Sequence, residues 1–324
     1  MKNLNKQFFS LTKSFGSDIE LVQGAGGNSS IKSSDRDYFL VKGSGTWMKD
    51  ALKKDIFLNV DGKNIYDDFL NDTMLPLEQY SKSSIHKPSI ETLLHAIIPH
   101  KYVFHLHCLR SISLSSSSNA KSNLENLFNF PFCIVDYISP GIELASSILE
   151  SCANKQYPSV YFLRNHGLIL ASDNLSDISR YVEEIKSKVQ PREIKNRNTN
   201  KALPNFDDFC CPQDNLIQSL AFNELALSIY KKGILYPDHA VFLGSSIPIY
   251  KEIKSNDVKN LDYFILENQG VFVKENLSDI KISMIHSLCA LAPFLLDEEY
   301  DYIPHTQIQA LMIRPDEIQR RSVN

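Results

Sequence analysis

The residues of this chain that could do chemistry centre on Val103-Phe104-His105-Leu106-His107, where two histidines spaced H-x-H close an apolar run. Such a run reads as a buried strand. Successive strand side chains point to opposite faces, so His105 and His107 share one face while Phe104 and Leu106 take the other. Two imidazoles side by side on a rigid strand are half of a zinc site. The bland alternative is a pair of satisfied core histidines.

Two neighbouring segments favour the metal. Upstream, Ser89 reads as a helix N-cap with Glu91 in the first turn and Leu93, Leu94, Ile97 and Ile98 as the buried stripe. Downstream, two apolar stretches flank Asn165-His166-Gly167, which is turn chemistry. A histidine at such a turn has few structural reasons to be there. His105, His107 and His166 together offer three imidazoles with one position open, the coordination of a catalytic zinc rather than a structural one. Glu91 alone would be a carboxylate complementing a helix dipole; beside three histidines it becomes the candidate for proton transfer. Gly26, Gly27, Asn28 and Ser29 form one loop with backbone N–H groups for an anion, Ser44 and Gly45 form another, and Ser89 is a third contributor.

The elements that must position these groups follow in order. A helix ends near Phe15-Gly16, and residues 19–23 read as a strand. The glycine loop leads into strands near 29–32 and 37–42, with a turn at 43–45. Residues 64–84 are polar and irregular, and the serine run 115–118 reads as a helix end and surface loop. A short strand over 132–137, a helix after Pro140-Gly141, the Asn-His-Gly hairpin and a helix near 175–189 complete a first domain, 1–189. Residues 190–213 lose apolar periodicity and read as a linker. A C-terminal α/β portion, 214–324, begins with a helix near 214–231. Within it Tyr263–Val273 looks like a worn copy of the Asn165-His166-Gly167 region, with Gln269 where the histidine stands. Residues 237–243 also resemble 158–163, which leaves the register of that repeat open. His239 and His286 have no metal-binding companions in the pattern and read as structural.

Taken together, Gln23–Ser30, Val41–Thr46, the Glu91 helix, the H-x-H strand and the Asn-His-Gly turn resemble, in order, the class II aldolase/adducin family. The resemblance covers roughly residues 5–185 and is closest to a longer bacterial branch that reads S-I-E-T and carries extra C-terminal sequence. It implies a three-layer α/β fold whose mainly antiparallel sheet is flanked by helices. It implies one zinc ion per chain, held by His105, His107 and His166, and cleavage or formation of a C–C bond in a phosphorylated ketose through a metal-stabilised enediolate. In the family, the glutamate matching Glu91 contacts the metal and moves protons. Asn28, Ser44, Gly45 and Ser89 match phosphate-contacting positions, and Tyr137 is the nearest match to a tyrosine donated by a neighbouring subunit. Ile90 stands where simpler aldolases carry a second serine, so one phosphate hydrogen bond is missing. Epimerases of the family carry Asp at the place of Glu91; decarboxylation on the same site stays open, as does an adducin-like binding role without catalysis.

Composition bounds the rest. With 324 residues, 43 % hydrophobic content and net charge −4, the chain can bury a large core and shows no basic footprint for nucleic acid. It shows neither a signal peptide nor an apolar run long enough to span a membrane. Six cysteines without C-x-x-C spacing are expected to be reduced thiols, with Cys108 turned away from His107. The expectation is a cytoplasmic homo-oligomer, tetramer or dimer, acting on a sugar phosphate.

Overall fold

The computed structural model describes residues 2–152, 157–193, 204–254 and 257–323. Helix α1 (Lys2–Gly16) packs Phe8 and Phe15 against Phe104 of the histidine strand, each with ring centroids 5.5 Å apart. The elements that follow are β1 (Asn28–Lys32), β2 (Tyr38–Lys42), β3 (Phe57–Asp61), α2 (Gly62–Leu70), α3 (Thr92–Ile97) and β4 (Tyr102–Leu106). Next come α4 (Leu109–Ser115), α5 (Ala120–Leu127), β5 (Phe132–Val135), α6 (Ile142–Cys152), β6 (Val160–Leu163), β7 (Gly167–Ser172) and α7 (Leu175–Lys188).

These strands form one sheet in the order β3-β2-β1-β4-β7-β6-β5. Every neighbouring pair is antiparallel except β5 and β6. The mixed α/β fold with a mainly antiparallel sheet flanked by helices is therefore the one expected. The histidine strand β4 sits at its centre, between β1 and β7. Its alternation is as the sequence implies. Phe104 and Leu106 enter the core under α1, whereas Val103 enters a second core with Leu93 and Leu94 of α3 and Leu144 of α6. Cys108 joins the first core, away from His107.

The C-terminal portion contains β8 (Phe209–Cys210), α8 (Asn215–Ser219), α9 (Glu224–Tyr230), α10 (Pro237–Leu243), β9 (Ile249–Tyr250), β10 (Tyr263–Leu266), β11 (Gly270–Lys274), α11 (Asp279–Leu291), α12 (His305–Ile313) and α13 (Pro315–Val323). Its sheet runs β8-β11-β10-β9, with β9 and β10 parallel and the other pairs antiparallel. That is the order and sense of β4-β7-β6-β5. The hairpin turns match in backbone: Asn165 has φ 53° and Asn268 φ 59°. Left-handed backbone of this kind is tolerated by Asn. Gln269 thus stands at the position of His166, and residues 237–243, being helical, do not supply the alternative register.

Several local expectations are corrected. Residues 19–23 form a turn, in which Leu21 and Val22 N–H groups both reach the Asp18 carbonyl. The stretch 64–84 contains most of α2 and a 3-10 turn at Leu77–Tyr80. The helix near 214–231 is interrupted by a 3-10 turn at Leu220–Phe222, after which the Asn223 side chain accepts from Ala226 N–H and starts α9. Residues 194–203 of the expected linker lie outside the described residues, and β8 falls inside its end. The serine run is buried from Ser115 to Ser117. Ser117 Oγ donates to Glu298 at 2.9 Å, Ser118 N to Glu299 O at 2.9 Å and Asp301 N to Ser116 O at 2.8 Å, so the run anchors the segment before α12. No helix among the described residues is long and apolar enough to cross a membrane.

Candidate metal centre

Three buried imidazoles converge where β4 ends and the β6–β7 hairpin turns. One ligand atom from each of His105, His107 and His166 lies within 4.8 Å of the others. The convergence depends on a close approach. A Cβ on Gly167 would stand 2.4 Å from the Leu106 carbonyl oxygen, so only glycine lets the hairpin reach β4 there. Gly26 serves the other side, since a Cβ there would stand 2.7 Å from His107 Nδ1.

Glu91 faces this cluster. Its Oε1 lies 3.3 Å from His105 Nε2 and 3.2 Å from His166 Nε2. Burial would raise this carboxyl, yet the imidazoles of His105 and His166 hold it well below the usual carboxylate range. His105 Nδ1 is 3.3 Å from the Leu168 carbonyl, which fixes the ring's proton at Nδ1 and turns Nε2 toward the cluster. Burial, offset in part by Glu91, brings the His105 imidazole down to about 3, so the ring is neutral and able to ligate. Glu91 Oε1, His105 Nε2, His107 Nδ1 and His166 Nδ1 are all buried without a hydrogen-bond partner. Buried polar atoms are normally satisfied. The orphaned Glu91 Oε1 and His105 Nε2, with one ring nitrogen each of His107 and His166 beside them, fit a divalent cation, and this N/O donor set suits zinc.

Asn28, Ser44, Gly45, Ser89 and Glu91 all line the cavity in front of the histidines, with Gly26 and Gly27. It encloses only about 50 Å³. Asn28 has a further duty. Its Nδ2 donates to Glu91 Oε2 at 2.9 Å, and its Oδ1 accepts from His95 Nε2. Ser30 Oγ pairs with His95 Nδ1 at 2.7 Å, and His95 is fully buried, where desolvation keeps it neutral. One amide N–H of Asn28 is left for a ligand.

Ser89 is not the helix N-cap. Helix α3 begins at Thr92 with Glu91 at the N-cap position, because Ser89 is used one turn earlier. Its carbonyl accepts from Thr92 N at 2.9 Å and its Oγ from Glu91 N at 3.3 Å. Tyr137 is not among the residues lining the cavity. Its hydroxyl is buried without a partner, and burial raises its pKa, opposed by Arg314. His239 donates from Nε2 to Ser287 Oγ at 2.9 Å, and His286 lies 3.4 Å from Asp214, in keeping with structural roles.

The rest of the cavity wall was not read from the sequence. Lys42 ends β2 inside the pocket and donates to Thr46 O at 2.8 Å, Ala25 O at 3.2 Å and Gly43 O at 3.4 Å, tying the two anion loops together. Burial, then the Arg320 guanidinium, brings its ammonium down to about 7. A lysine closing the apolar run Phe39-Leu40-Val41 was a readable signal. Asp238 and Arg320 come from α10 and α13. The guanidinium forks onto the Asp238 carboxylate, 3.1 Å at both contacts, and Nη1 reaches Glu317 at 2.8 Å. Pro237-Asp238 carries the signature of a helix start; nothing local marks Arg320 as a pocket residue.

With this geometry in hand, comparison with known proteins defines the class. The family described as Class II Aldolase and Adducin N-terminal domain matches residues 6–190. The chain belongs to that family. A curated relative from Bacillus subtilis (strain 168), named uncharacterized oxidoreductase YuxG, is 28 % identical over 212 residues, covering 58 % of this chain; the chain spans only 30 % of that protein's length. Among solved structures, the N-terminal class II aldolase domain of a conserved protein from Thermoplasma acidophilum is 26 % identical with a TM-score of 0.48, over 56 % of this chain and 89 % of that one. An L-fuculose 1-phosphate aldolase is 16 % identical with a TM-score of 0.42, over 57 % and 82 %.

Proposed function

We propose that this protein is a zinc-dependent aldolase that cleaves or forms a C–C bond in a phosphorylated ketose. The observation that carries the reading is the Glu91 carboxylate oxygen, unpaired and buried, 3.2–3.3 Å from two of three clustered imidazoles. His105, His107 and His166 would hold the ion, which when bound supplies Lewis acidity to a substrate carbonyl.

The chain's own residues do the remaining work. Asn28 fixes Glu91 Oε2, so Oε1 is the oxygen that takes the proton from the substrate hydroxyl as the C–C bond breaks and returns it to the carbanionic fragment. The loops at Gly26-Gly27 and Ser44-Gly45, tied together by Lys42, line the cavity where the phosphate would sit, with Ser44 and Ser89 hydroxyls and the free Asn28 N–H as donors. Ile90, Pro140 and Pro237 wall off water.

The test is a product screen of the zinc-loaded protein with phosphorylated ketoses and, in reverse, dihydroxyacetone phosphate with aldehydes. Aldehyde release from a ketose phosphate supports the reading. Carbon dioxide from an oxo-acid phosphate, or a stereoisomer without cleavage, assigns the same centre to decarboxylation or epimerisation. Metal-free protein without turnover of any of these returns it to a binding role.

A further inference from the structure

His107 is held on three sides. Gln23 Nε2 donates to its carbonyl at 3.1 Å, and the ring of Tyr236 lies against its imidazole with centroids 5.6 Å apart. The third contact is the Asp238 carboxylate, whose Oδ2 lies 3.2 Å from His107 Nδ1, near in distance but off the line of a full hydrogen bond. Asp238 is 2 % exposed and is itself clamped. Arg320 grips both its oxygens, Glu317 fixes the guanidinium, and Phe242 lies under it at 5.3 Å.

A carboxylate at one ring nitrogen of a metal-binding histidine keeps the proton there, which orients the ring and presents the other nitrogen's lone pair. His105 obtains this from the Leu168 carbonyl, inside the family's matched segment. His107 obtains it from α10, beyond residue 190, where that match ends. We propose that Asp238, clamped by Arg320, is the positioning residue of His107, so that the metal centre is completed by the C-terminal portion of the same chain. The inference rests on the three-histidine reading of the metal site.

The test is zinc affinity of the full-length protein, read by competition with a chromophoric chelator, together with the His107 tautomer read from imidazole ¹⁵N shifts. Asp238→Asn is expected to weaken zinc about 10–100-fold and to shift the metal-free His107 ring away from its Nδ1-protonated form. Arg320→Lys keeps the charge but loses the fork, and is expected to move both readouts in the same direction by less; it carries the test if the Asp238 variant does not fold. Unchanged affinity and tautomer in a folded variant, with zinc lost from His107→Ala, overturns the role of Asp238. Zinc retained by His107→Ala overturns the metal reading itself.

Discussion

Asn28 sets the orientation of Glu91: its Nδ2 donates to Oε2 at 2.9 Å, which leaves Oε1 aimed at His105 and His166. Asn28 in turn is held by His95, so the carboxylate rests on a buried polar chain rather than on its own rotamer. Asn28→Ala is expected to keep zinc content near that of the parent and to lower kcat on the order of 10²-fold, the scale of a misplaced catalytic group. Steady-state kinetics with metal analysis on the same sample checks it.

Glu91→Gln should leave the fold and most of the metal in place and remove turnover. General acid–base groups contribute about 10²–10⁴-fold. Activity equal to the parent would mean that Glu91 only terminates a helix.

His105→Ala should lose most of its zinc, since this imidazole is fully buried and its Nε2 makes no hydrogen bond among the described residues. Elemental analysis after dialysis reads the outcome, and full retention would sink the three-histidine cage.

Acid should destabilise the fold through its buried neutral histidines. Burial brings His239 from 6.5 down to about 3. The unfolded chain therefore takes up a proton near 6.5 that the folded chain refuses until about 3. The stability this residue contributes is complete above 6.5 and is lost as pH falls from 6.5 toward 3, at up to about 1.4 kcal/mol per pH unit. His239→Asn should flatten the fall in urea midpoint between about pH 7.5 and about pH 5. An identical slope in parent and variant refutes it.

Light scattering is expected to show a homo-oligomer, a tetramer or a dimer of two-portion chains. Tyr137, outside the cavity of its own chain, could act only at a neighbour's site. A fully active monomer would exclude that role.

What the sequence made legible was whatever local pattern encodes. Strand alternation placed His105 and His107 on one face, and the Asn165-His166-Gly167 turn placed the third imidazole, because period and turn chemistry are properties of a few adjacent residues. Ser89 was misassigned as an N-cap because Ser-x-Glu fits a cap and a preceding turn equally well. Strand β3 escaped because Phe57–Asp61 alternates over only five residues. Asp238 and Arg320 escaped for another reason. Their relation to His107 is made by the packing of α10 and α13 over the glycine loop, and no spacing along the chain encodes it.

The size of the cavity sets a condition on traffic. Sites for small molecules commonly enclose about 300–1,000 Å³, whereas this one encloses about 50 Å³. A ligand the size of the proposed ketose phosphate would need one wall to part. The sheet side is pinned by β1, β4 and β7, whereas Pro237, Asp238, Glu317 and Arg320 line the cavity from the C-terminal helices. A parting between α10 and α13 would break the Asp238–Arg320 clamp and couple ligand entry to local unfastening of α13. Such gating caps turnover at the opening rate rather than at the chemical step, and amide hydrogen exchange in α13 should slow when the pocket is filled.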